Sequence, residues 1–574
     1  MLAVTGTATT ALGLLLAVRP LSSLTALGIY TGVSCVVSGL GDLLARRDRA
    51  GKLSLIIGIG WVLAGVSVFA WLGRSLQLLG PFVAGLLVVT GAVKLLELRR
   101  GLSTDRLLTA AFGLSELAFG LAAWVWPDVT LLVVALLFGV RTAGFGLSLL
   151  WRGAVAARRG SSAQVALRPG LARFRAARWM AAGVVLLLAG ATLVISERFR
   201  QGIPVLDGFY DAPDVVPAEP GQLLRAERYD GDLPEGLTAY RILYTTTADE
   251  GVPGLASGVV AVPVEPAGRP TPLIAWAHGT VGVARACAPS LGRNAISTEG
   301  MPSMDALARN GWGMVATDYI GQGTEGAFPY LVGQGEGRSV LDAVRAAHQI
   351  DGLDLAPETV IWGHSQGGHA ALWAGQLAPT YAPDVEVVGT AALSAASDTL
   401  GMAQLVTAHP GALGASLAIS FVLAAYSRTY PDISLDDVTP AARTLVKEAA
   451  ARCTSEPGTL LTVLTGVAIS RDTPILVHDP ATGAVGRRLR QNVALGPWPA
   501  PLFLAQGTAD EVISARLQDE YVARLCAAGR PLRYERYEGK THMGILEPDS
   551  PLNADLAQWT EDRLAGLPQQ NTCQ

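Results

Sequence analysis

The stretch TVIWGHSQGGHA, Thr359–Ala370, carries the clearest structural signal in the 574-residue chain. A short apolar run leads into Gly363-His364-Ser365-Gln366-Gly367, and small residues follow. This order predicts a buried strand, a tight turn and a helix. Glycines on both sides of Ser365 leave room for a strained turn in which strand and helix approach closely. We interpret Ser365 as a candidate nucleophile; the alternative is a passive serine in a glycine-rich turn.

Short apolar runs recur on both sides of this stretch and alternate with segments of helical periodicity. Strands are predicted at PLIAWAHG (272–279), GMVATDYIG (313–321), VEVVGTAAL (385–393), PLFLAQG (501–507) and LRYERY (532–537). Helices are predicted at Arg338–Ile350, Gly368–Leu377 and Ala515–Gly529. Such alternation predicts a mostly parallel sheet in an α/β fold. Two segments upstream, 240–249 and 254–264, predict antiparallel strands that begin the sheet.

A serine hydroxyl is a weak nucleophile at neutral pH, so Ser365 requires a base and an orienting carboxylate further along the chain. His542 follows the last predicted strand, where the base is expected, and is preferred to three other histidines, His369, His409 and His478. Asp510 lies in the turn after PLFLAQG and is the predicted acid. Its rivals are Glu511 and Asp479.

The negative oxygen that develops during acyl transfer needs hydrogen-bond donors aimed at it. The backbone N–H of Gln366, directly after the nucleophile, is the predicted first donor. The second is predicted in AWAHGTVG (275–282), at Thr280, with Val281 or Gly282 as alternatives. His278-Gly279 in the same segment also fits an ordinary turn at the end of a strand.

Up to about Ser196 the chain is dominated by Leu, Ala, Gly and Val. Seven apolar stretches occur there, each close to the roughly 20 residues that cross a bilayer as a helix. They are Leu2–Val18, Leu24–Ala45, Leu53–Leu72, Leu76–Leu98, Leu107–Trp126, Val129–Trp151 and Met180–Ser196. The first six pair into three hairpins, each ending in a basic stretch: LLARRDR, LLELRR or LLWRG. This spacing predicts a threefold repeat.

The distribution of arginine orients these stretches. Loops after the second, fourth and sixth stretches hold clusters of arginine, whereas the opposite loops hold only Arg19 and Arg74. Cytoplasmic loops carry the excess of Lys and Arg, so the seventh stretch runs outward. Everything after about Glu197 is therefore predicted to be extracytoplasmic, in an integral protein of the plasma membrane, with a bacterial source expected. Met1–Val18 lacks the pattern of a cleaved signal peptide.

Net charge and cysteine spacing exclude other classes of protein. The net charge is −4 and the pI is about 6.0, which argues against a nucleic-acid partner. The five cysteines lack the spacing of a zinc site, and no metal or cofactor is expected. Glu116 and Arg141, on consecutive predicted helices, are expected to form a structural pair; the alternative is a transport or proton-relay role.

Two parts of the chain resemble known families. The paired helices with a Trp-Pro-like break, over residues 1–151, resemble the HdeD-like (DUF308) membrane family. The second part, over about 209–567, resembles the secretory lipase family of α/β-hydrolases. The motifs that carry this likeness are FYDAP, AWAHGTVGVARACAPS, ATDYIGQGTEGAFPYLVGQGEGRSVLDAVRAA, WGHSQGGHAALWAG and GTADEVI.

The second resemblance implies a triad of Ser365, Asp510 and His542 and the hydrolysis of carboxylic esters of lipidic or short acyl type. It also implies a disulfide between Cys287 and Cys453, whereas the pairing of Cys526 with Cys573 stays open. Gln506 is a departure, because the end of this strand often carries His in relatives.

The sequence as a whole predicts a multi-domain chain: a helical membrane domain at 1–151, a basic cytoplasmic loop at 152–179, a seventh helix at 180–196, a linker at 197–208 and the hydrolase domain at 209–567. Apolar helical segments at about 398–472 predict a cap over Ser365. The alternative is a subdomain that serves packing only.

The leading hypothesis is a membrane-anchored, extracytoplasmic serine hydrolase that acts on lipid or small ester substrates. One alternative makes the membrane domain the working part, in a transporter or envelope-stress protein whose hydrolase fold is a binding module. Another alternative keeps the nucleophile but transfers the acyl group to an alcohol instead of water. Both hydrolysis and acyl transfer pass through the same acyl-enzyme.

Overall fold

The protein is described from a computed structural model. The structure describes residues 2–19, 72–99, 106–159, 171–200 and 205–573, with isolated positions between 28 and 67 and short gaps at 266–267, 296–300, 303, 409–414, 441 and 471–474. His409 and the predicted stretch Leu24–Ala45 fall wholly or mostly outside these residues.

Five long helices make up the described part of the N-terminal region: α1 Leu2–Val18, α2 Leu72–Arg99, α3 Arg106–Val125, α4 Pro127–Arg159 and α5 Leu171–Arg200. Most extend beyond the predicted apolar stretches, because their arginine-rich ends remain helical. Among the described residues, two segments are long and apolar enough to cross a membrane, Arg106–Val125 and Ala182–Phe199.

The predicted pairing of Glu116 with Arg141 stays a prediction. The carboxylate of Glu116 accepts a hydrogen bond from Lys94 Nζ of α2. Small residues bring α2 and α3 together, since a Cβ atom on Gly91 would lie only 2.7 Å from the carbonyl oxygen of Gly113. This close approach places Lys94 beside Glu116. The Arg141 side chain lies outside the described part.

A nine-stranded sheet forms the centre of the C-terminal region. Its strands are β1 Leu223–Arg228, β2 Leu237–Thr247, β3 Pro253–Pro263, β4 Thr271–Ala277, β5 Gly313–Ile320, β6 Leu355–His364, β7 Glu386–Leu393, β8 Leu502–Gly507 and β9 Arg533–Tyr537. The order is β1-β2-β3-β5-β4-β6-β7-β8-β9. Strands β1 to β3 are antiparallel, β3 also pairs antiparallel with β5, and the remaining pairs are parallel. The predicted mixed α/β sheet is confirmed, and β1 is an additional strand.

Helices follow in this region as α6 Met304–Asn310, α7 Gly333–Ala347, α8 Gln366–Tyr381, α9 Thr399–Ala408, α10 Ala415–Thr429, α11 Arg443–Ala450, α12 Pro457–Ser470, α13 Gly483–Gln491, α14 Ala515–Ala527 and α15 Leu552–Leu564. Successive side chains of a strand point to opposite faces, and β4 shows the result. Ala275 packs in the cluster that contains α7 and α8, whereas Trp276 packs in the cluster that contains α6 and α15.

The helices α9–α13, here called the insertion, lie between β7 and β8 and include the segment predicted as a cap. Part of the insertion packs on the N-terminal helices, since Leu131 of α4 is buried with Leu423 and Leu445. Among the described residues there are two disulfides, Cys287–Cys453 and Cys526–Cys573. The first has the pairing that the family resemblance implies, and the second answers the pairing left open by the sequence.

Candidate active site

Ser365 occupies the sharp turn between β6 and α8. Its backbone has φ 57° and ψ −120°, a left-handed conformation that is strained for any residue except glycine. The flanking glycines make this turn possible. A Cβ on Gly363 would lie 2.0 Å from the carbonyl oxygen of Gly367, and a Cβ on Gly367 would lie 1.9 Å from that of Ala277. The predicted strand-turn-helix arrangement is therefore present, with Ser365 at its apex.

His542 and Asp510, which the sequence nominated as base and acid, are hydrogen-bonded to each other. Nδ1 of His542 lies 2.9 Å from Oδ2 and 3.1 Å from Oδ1 of Asp510. Because a carboxylate only accepts, Nδ1 carries the proton and Nε2 is left as the proton acceptor of a neutral ring. Both residues follow the carboxyl ends of neighbouring parallel strands, β8 and β9.

Several donors fix the Asp510 carboxylate. Oδ1 accepts hydrogen bonds from the backbone N–H groups of Val512 and Ile513, and Oδ2 accepts one from Gln506 Nε2 at 3.0 Å. Burial by itself would raise the pKa of Asp510. The hydrogen bonds from His542 and from the two backbone N–H groups nevertheless hold that pKa below its usual value. Gln506 thus orients the acid, a role that the sequence analysis did not assign to it.

His364 precedes Ser365 and connects it to His542. The rings of His364 and His542 are 4.6 Å apart between centroids, and His364 Nε2 donates to the His542 carbonyl at 3.1 Å. Burial, together with the charge that His542 can carry, lowers the pKa of His364 to about 3. Near neutral pH, an uncharged His364 therefore packs against the candidate base and holds its backbone beside the elbow.

The competing acids and bases have other partners. Glu511 accepts a hydrogen bond from the backbone N–H of His542 at 3.2 Å, so it positions that loop. Asp479 is exposed and accepts from the backbone of Ala481. His478 is exposed as well, and His369 is fully buried beneath the elbow.

The two predicted oxyanion donors lie at adjoining parts of the backbone. Gln366 is the first residue of α8, where a backbone N–H has no partner within the helix. The close contact of Gly367 with the carbonyl oxygens of Ala277 and His278 sets the start of α8 against the segment that continues to Thr280. Thr280 is itself held by a 2.9 Å hydrogen bond between its hydroxyl and Tyr330 Oη.

A buried polar network lies under Gln366, and the sequence analysis missed it. Glu336 of α7 accepts from Gln366 Nε2 at 2.7 Å, from the Leu331 backbone N–H at 2.9 Å and from His369 Nδ1 at 2.8 Å. Nε2 of His369 donates to the Asn492 carbonyl at 2.7 Å. An acidic residue among glycines in the segment QGEGRS was the only sequence signal.

An apolar cavity of about 70 Å³ adjoins this site on the side of the insertion. Tyr330, the partner of Thr280, is part of its wall, and the insertion supplies most of the rest, including Met402, Ile419, Val422, Leu423 and Leu489. Within the described residues, no group of three or more His, Cys, Asp or Glu side chains could hold a metal ion. The groups present are those of acid–base and nucleophilic chemistry.

A mixed sheet with a serine at a strained strand-to-helix turn defines an α/β-hydrolase fold, and the comparisons agree. The model of the secretory lipase family matches residues 294–572, and a short repeat of unknown function, DUF308, matches residues 4–69 and 56–123. Residues 294–572 therefore match the secretory lipase family, and lipase and esterase relatives support a carboxylic ester hydrolase. The N-terminal region matches DUF308 repeats.

Individual relatives are consistent with this assignment. A probable inactive lipase of Mycobacterium tuberculosis, MT1628, is 28% identical over 402 residues, which are 65% of this chain and 85% of the relative. Lipase A of Moesziomyces aphidis is 24% identical over 384 residues, which are 63% of this chain and 81% of the relative. Among solved structures, lipase A of Candida antarctica in its closed state has a TM-score of 0.53 at 18% identity. The match covers 65% of this chain and 89% of that structure, and it shows a similar fold.

Proposed function

We propose that this protein is a membrane-anchored serine hydrolase that cleaves carboxylic esters through Ser365, His542 and Asp510. The observation that carries the proposal is the pair formed by His542 Nδ1 and the buried Asp510 carboxylate, at 2.9 Å, beside the strained turn of Ser365. This pair fixes the tautomer in which Nε2 can accept a proton. The lipase and esterase relatives support an ester as substrate.

In the proposed reaction, His542 Nε2 takes the proton of the Ser365 hydroxyl while Oγ attacks the ester carbonyl. The backbone N–H groups of Gln366 and Thr280 hold the oxyanion that forms. The alcohol leaves with the proton from His542, and an acyl-enzyme remains. Water, deprotonated by His542, then attacks the acyl carbon and releases the acid. Asp510 stays ionised throughout and stabilises the imidazolium.

We assign the insertion as a cap that covers Ser365 and receives the acyl part of the substrate. The apolar lining of the cavity beside Tyr330 favours a hydrocarbon chain over a polar acyl group. The cavity is small, so a long chain requires the insertion helices to move apart, as a lid does.

We further propose that the N-terminal helices anchor the enzyme in a membrane with the hydrolase domain outside. The arginine bias supports this orientation. A second observation agrees with it: Trp126, between α3 and α4, donates from Nε1 to Ser196 Oγ near the end of α5 at 2.9 Å. The two helix ends that the bias assigns to the outer side thus adjoin each other, and Trp126 lies against Gly458 of the insertion.

Purified full-length protein in detergent tests the proposal. We expect it to hydrolyse p-nitrophenyl esters and to react with a fluorophosphonate at Ser365. We expect Ser365→Ala to lose both properties and Asp510→Asn to lose about 10⁴-fold in kcat, because the wrong tautomer of His542 then faces Ser365. Full activity of Ser365→Ala would end the proposal. A series of acyl chain lengths, with an added alcohol acceptor, distinguishes hydrolysis from acyl transfer.

A second candidate function follows from the M. tuberculosis relative, which is named as a probable inactive lipase. In this candidate, the hydrolase domain binds a ligand without turning it over, and the membrane region does the work. A wild-type protein that is inert on all chain lengths, although it is folded, would favour this function. Loss of an export or acid-survival phenotype in Glu116→Gln cells would add support.

A further inference from the structure

The contact between the N-terminal helices and the insertion is centred on a buried ion pair. Asp128, at the start of α4, accepts from Nη1 and Nη2 of Arg452 at 2.8 and 3.1 Å, and the two side chains are 0% and 8% exposed. The guanidinium also lies over the ring of Trp126, with Cζ 4.6 Å from the ring centroid. Bidentate geometry fixes the orientation of Arg452 as well as its distance.

A further acid contacts the guanidinium from the insertion side. Glu448 accepts from Nη2 of Arg452 at 3.0 Å. Burial raises the pKa of Glu448 to about 7; Arg452 opposes this rise and the charge of Asp128 adds to it. Near neutral pH, Glu448 is therefore only partly ionised. Asp128, in contrast, contacts Arg452 through both of its carboxylate oxygens.

The two residues after Arg452 hold the candidate oxyanion loop, defined here as Thr280–Gly282. Cys453 forms a β-bridge with Gly282 and a disulfide with Cys287. Thr454 donates from its backbone N–H to the Val281 carbonyl at 2.9 Å and from its hydroxyl to the Thr280 carbonyl at 3.2 Å. Three consecutive residues of the insertion thus connect α4 to this loop.

The approach of the two segments is as close as the backbone allows. Gly282 has φ +118°, and a Cβ there would lie 2.8 Å from the Arg452 carbonyl oxygen and 3.0 Å from the Cys453 Cα. The opposite side of the loop is fixed by the hydrolase core, where Gln322 Nε2 donates to the Gly282 carbonyl at 2.7 Å. A shift of Arg452 therefore displaces the loop, because Arg452 and Gly282 are already in close backbone contact.

We propose that Asp128 is a positioning residue for ester hydrolysis: by holding Arg452, it sets the oxyanion loop at Thr280. This inference rests on the proposed function. It gives the N-terminal helices a part in catalysis beyond anchoring, since the hydrolase domain reaches its best geometry only when it is docked on them. Displacements of about 1 Å in such a site are enough to slow a reaction by orders of magnitude.

The test compares Asp128→Asn with Glu116→Gln in full-length protein. Both variants neutralise an acid that pairs with a cation in the N-terminal helices, but the partner of Glu116 is Lys94, away from the insertion. We expect Asp128→Asn to lower kcat on a short soluble ester about tenfold, with KM within twofold, because donors aimed at the oxyanion act in the transition state. Asp128→Glu should recover part of kcat, and Glu116→Gln should retain all of it.

Hydrogen–deuterium exchange over residues 278–287 gives a readout that needs no activity. Exchange there should rise in Asp128→Asn and stay at the wild-type level in Glu116→Gln. Unchanged exchange, or unchanged kcat in an active protein, overturns the inference. An inert wild type would refute the proposed function instead, and exchange would then decide by itself whether Asp128 holds the loop.

Discussion

Glu336 Oε2 lies 2.8 Å from His369 Nδ1, and both side chains are fully buried beneath the elbow helix. Nε2 of His369 faces the Asn492 carbonyl at 2.7 Å, so both ring nitrogens have a polar partner. In Glu336→Gln, the amide N–H₂ faces Nδ1 of a neutral His369, and the amide oxygen still accepts from Gln366 and Leu331. We therefore expect Glu336→Gln to lower the free energy of unfolding by less than about 1 kcal/mol.

We expect His369→Ala to be more destabilising, because it leaves the buried Glu336 carboxyl group without its partner at Oε2. Such a loss costs about 3–5 kcal/mol. Urea unfolding of the two variants measures the difference. Equal destabilisation by both variants would show that glutamine cannot replace Glu336 in this network and would contradict the prediction.

Gly367→Ala places a Cβ 1.9 Å from the Ala277 carbonyl oxygen and 2.6 Å from that of His278. Neither neighbour is a flexible side chain, so β4 and α8 must separate. We expect a loss of stability of about 1–3 kcal/mol or more, as for overpacked cores, together with loss of ester hydrolysis. Gly292→Ala is the matched control, because its nearest contact is 3.4 Å. A Gly367→Ala protein with wild-type kcat would contradict the elbow geometry.

The sheet and the elbow could be predicted because their signals are local. Apolar runs ending at glycine located β4, β6 and β8 to within a few residues, and the order of the chain then placed Asp510 and His542 at neighbouring strand ends. Contacts between helices could not be predicted in this way. Nothing in the sequence around Glu116 indicates that its side chain faces Lys94 of α2.

The strand β1, LLRAER, was not predicted, for a different reason. Its side chains are at most half-buried, so it lacks the alternation of a strand with one face in a core. The Glu336–His369 pair was missed because its members lie 33 residues apart on α7 and α8. Only the packing of those helices reveals that a buried acid has a buried partner. The catalytic roles of Ser365, Asp510 and His542 stay predictions until they are measured.

His364 should make the protein sensitive to acid. Its pKa is about 3 in the folded protein and close to 6.5 when unfolded. Between these values, the unfolded chain binds a proton that the folded protein does not bind, so stability falls as the pH is lowered from 6.5 towards 3. A single such group contributes at most about 1.4 kcal/mol per pH unit.

The variant His364→Gln keeps a donor for the His542 carbonyl but cannot be protonated. We expect its urea midpoint to fall less than that of wild type between pH 7 and pH 5. His478→Gln, at an exposed histidine, should follow the wild-type curve. If the urea midpoints of wild type and His364→Gln fell equally with pH, His364 would not resist protonation in the folded protein.

The two disulfides should differ in their effect on catalysis. Cys287–Cys453 ties the segment after the candidate oxyanion loop to the insertion, whereas Cys526–Cys573 ties α14 to the C-terminal segment, at the edge of the sheet beside β9. They close loops of 166 and 47 residues. Because each disulfide restricts the unfolded chain, we expect either double serine variant to lose about 2–4 kcal/mol of stability.

Only the Cys287→Ser/Cys453→Ser variant should also lose kcat, measured on a short ester well below its melting temperature. Equal kcat in both variants would show that the Cys287–Cys453 disulfide does not hold the candidate oxyanion donors in place.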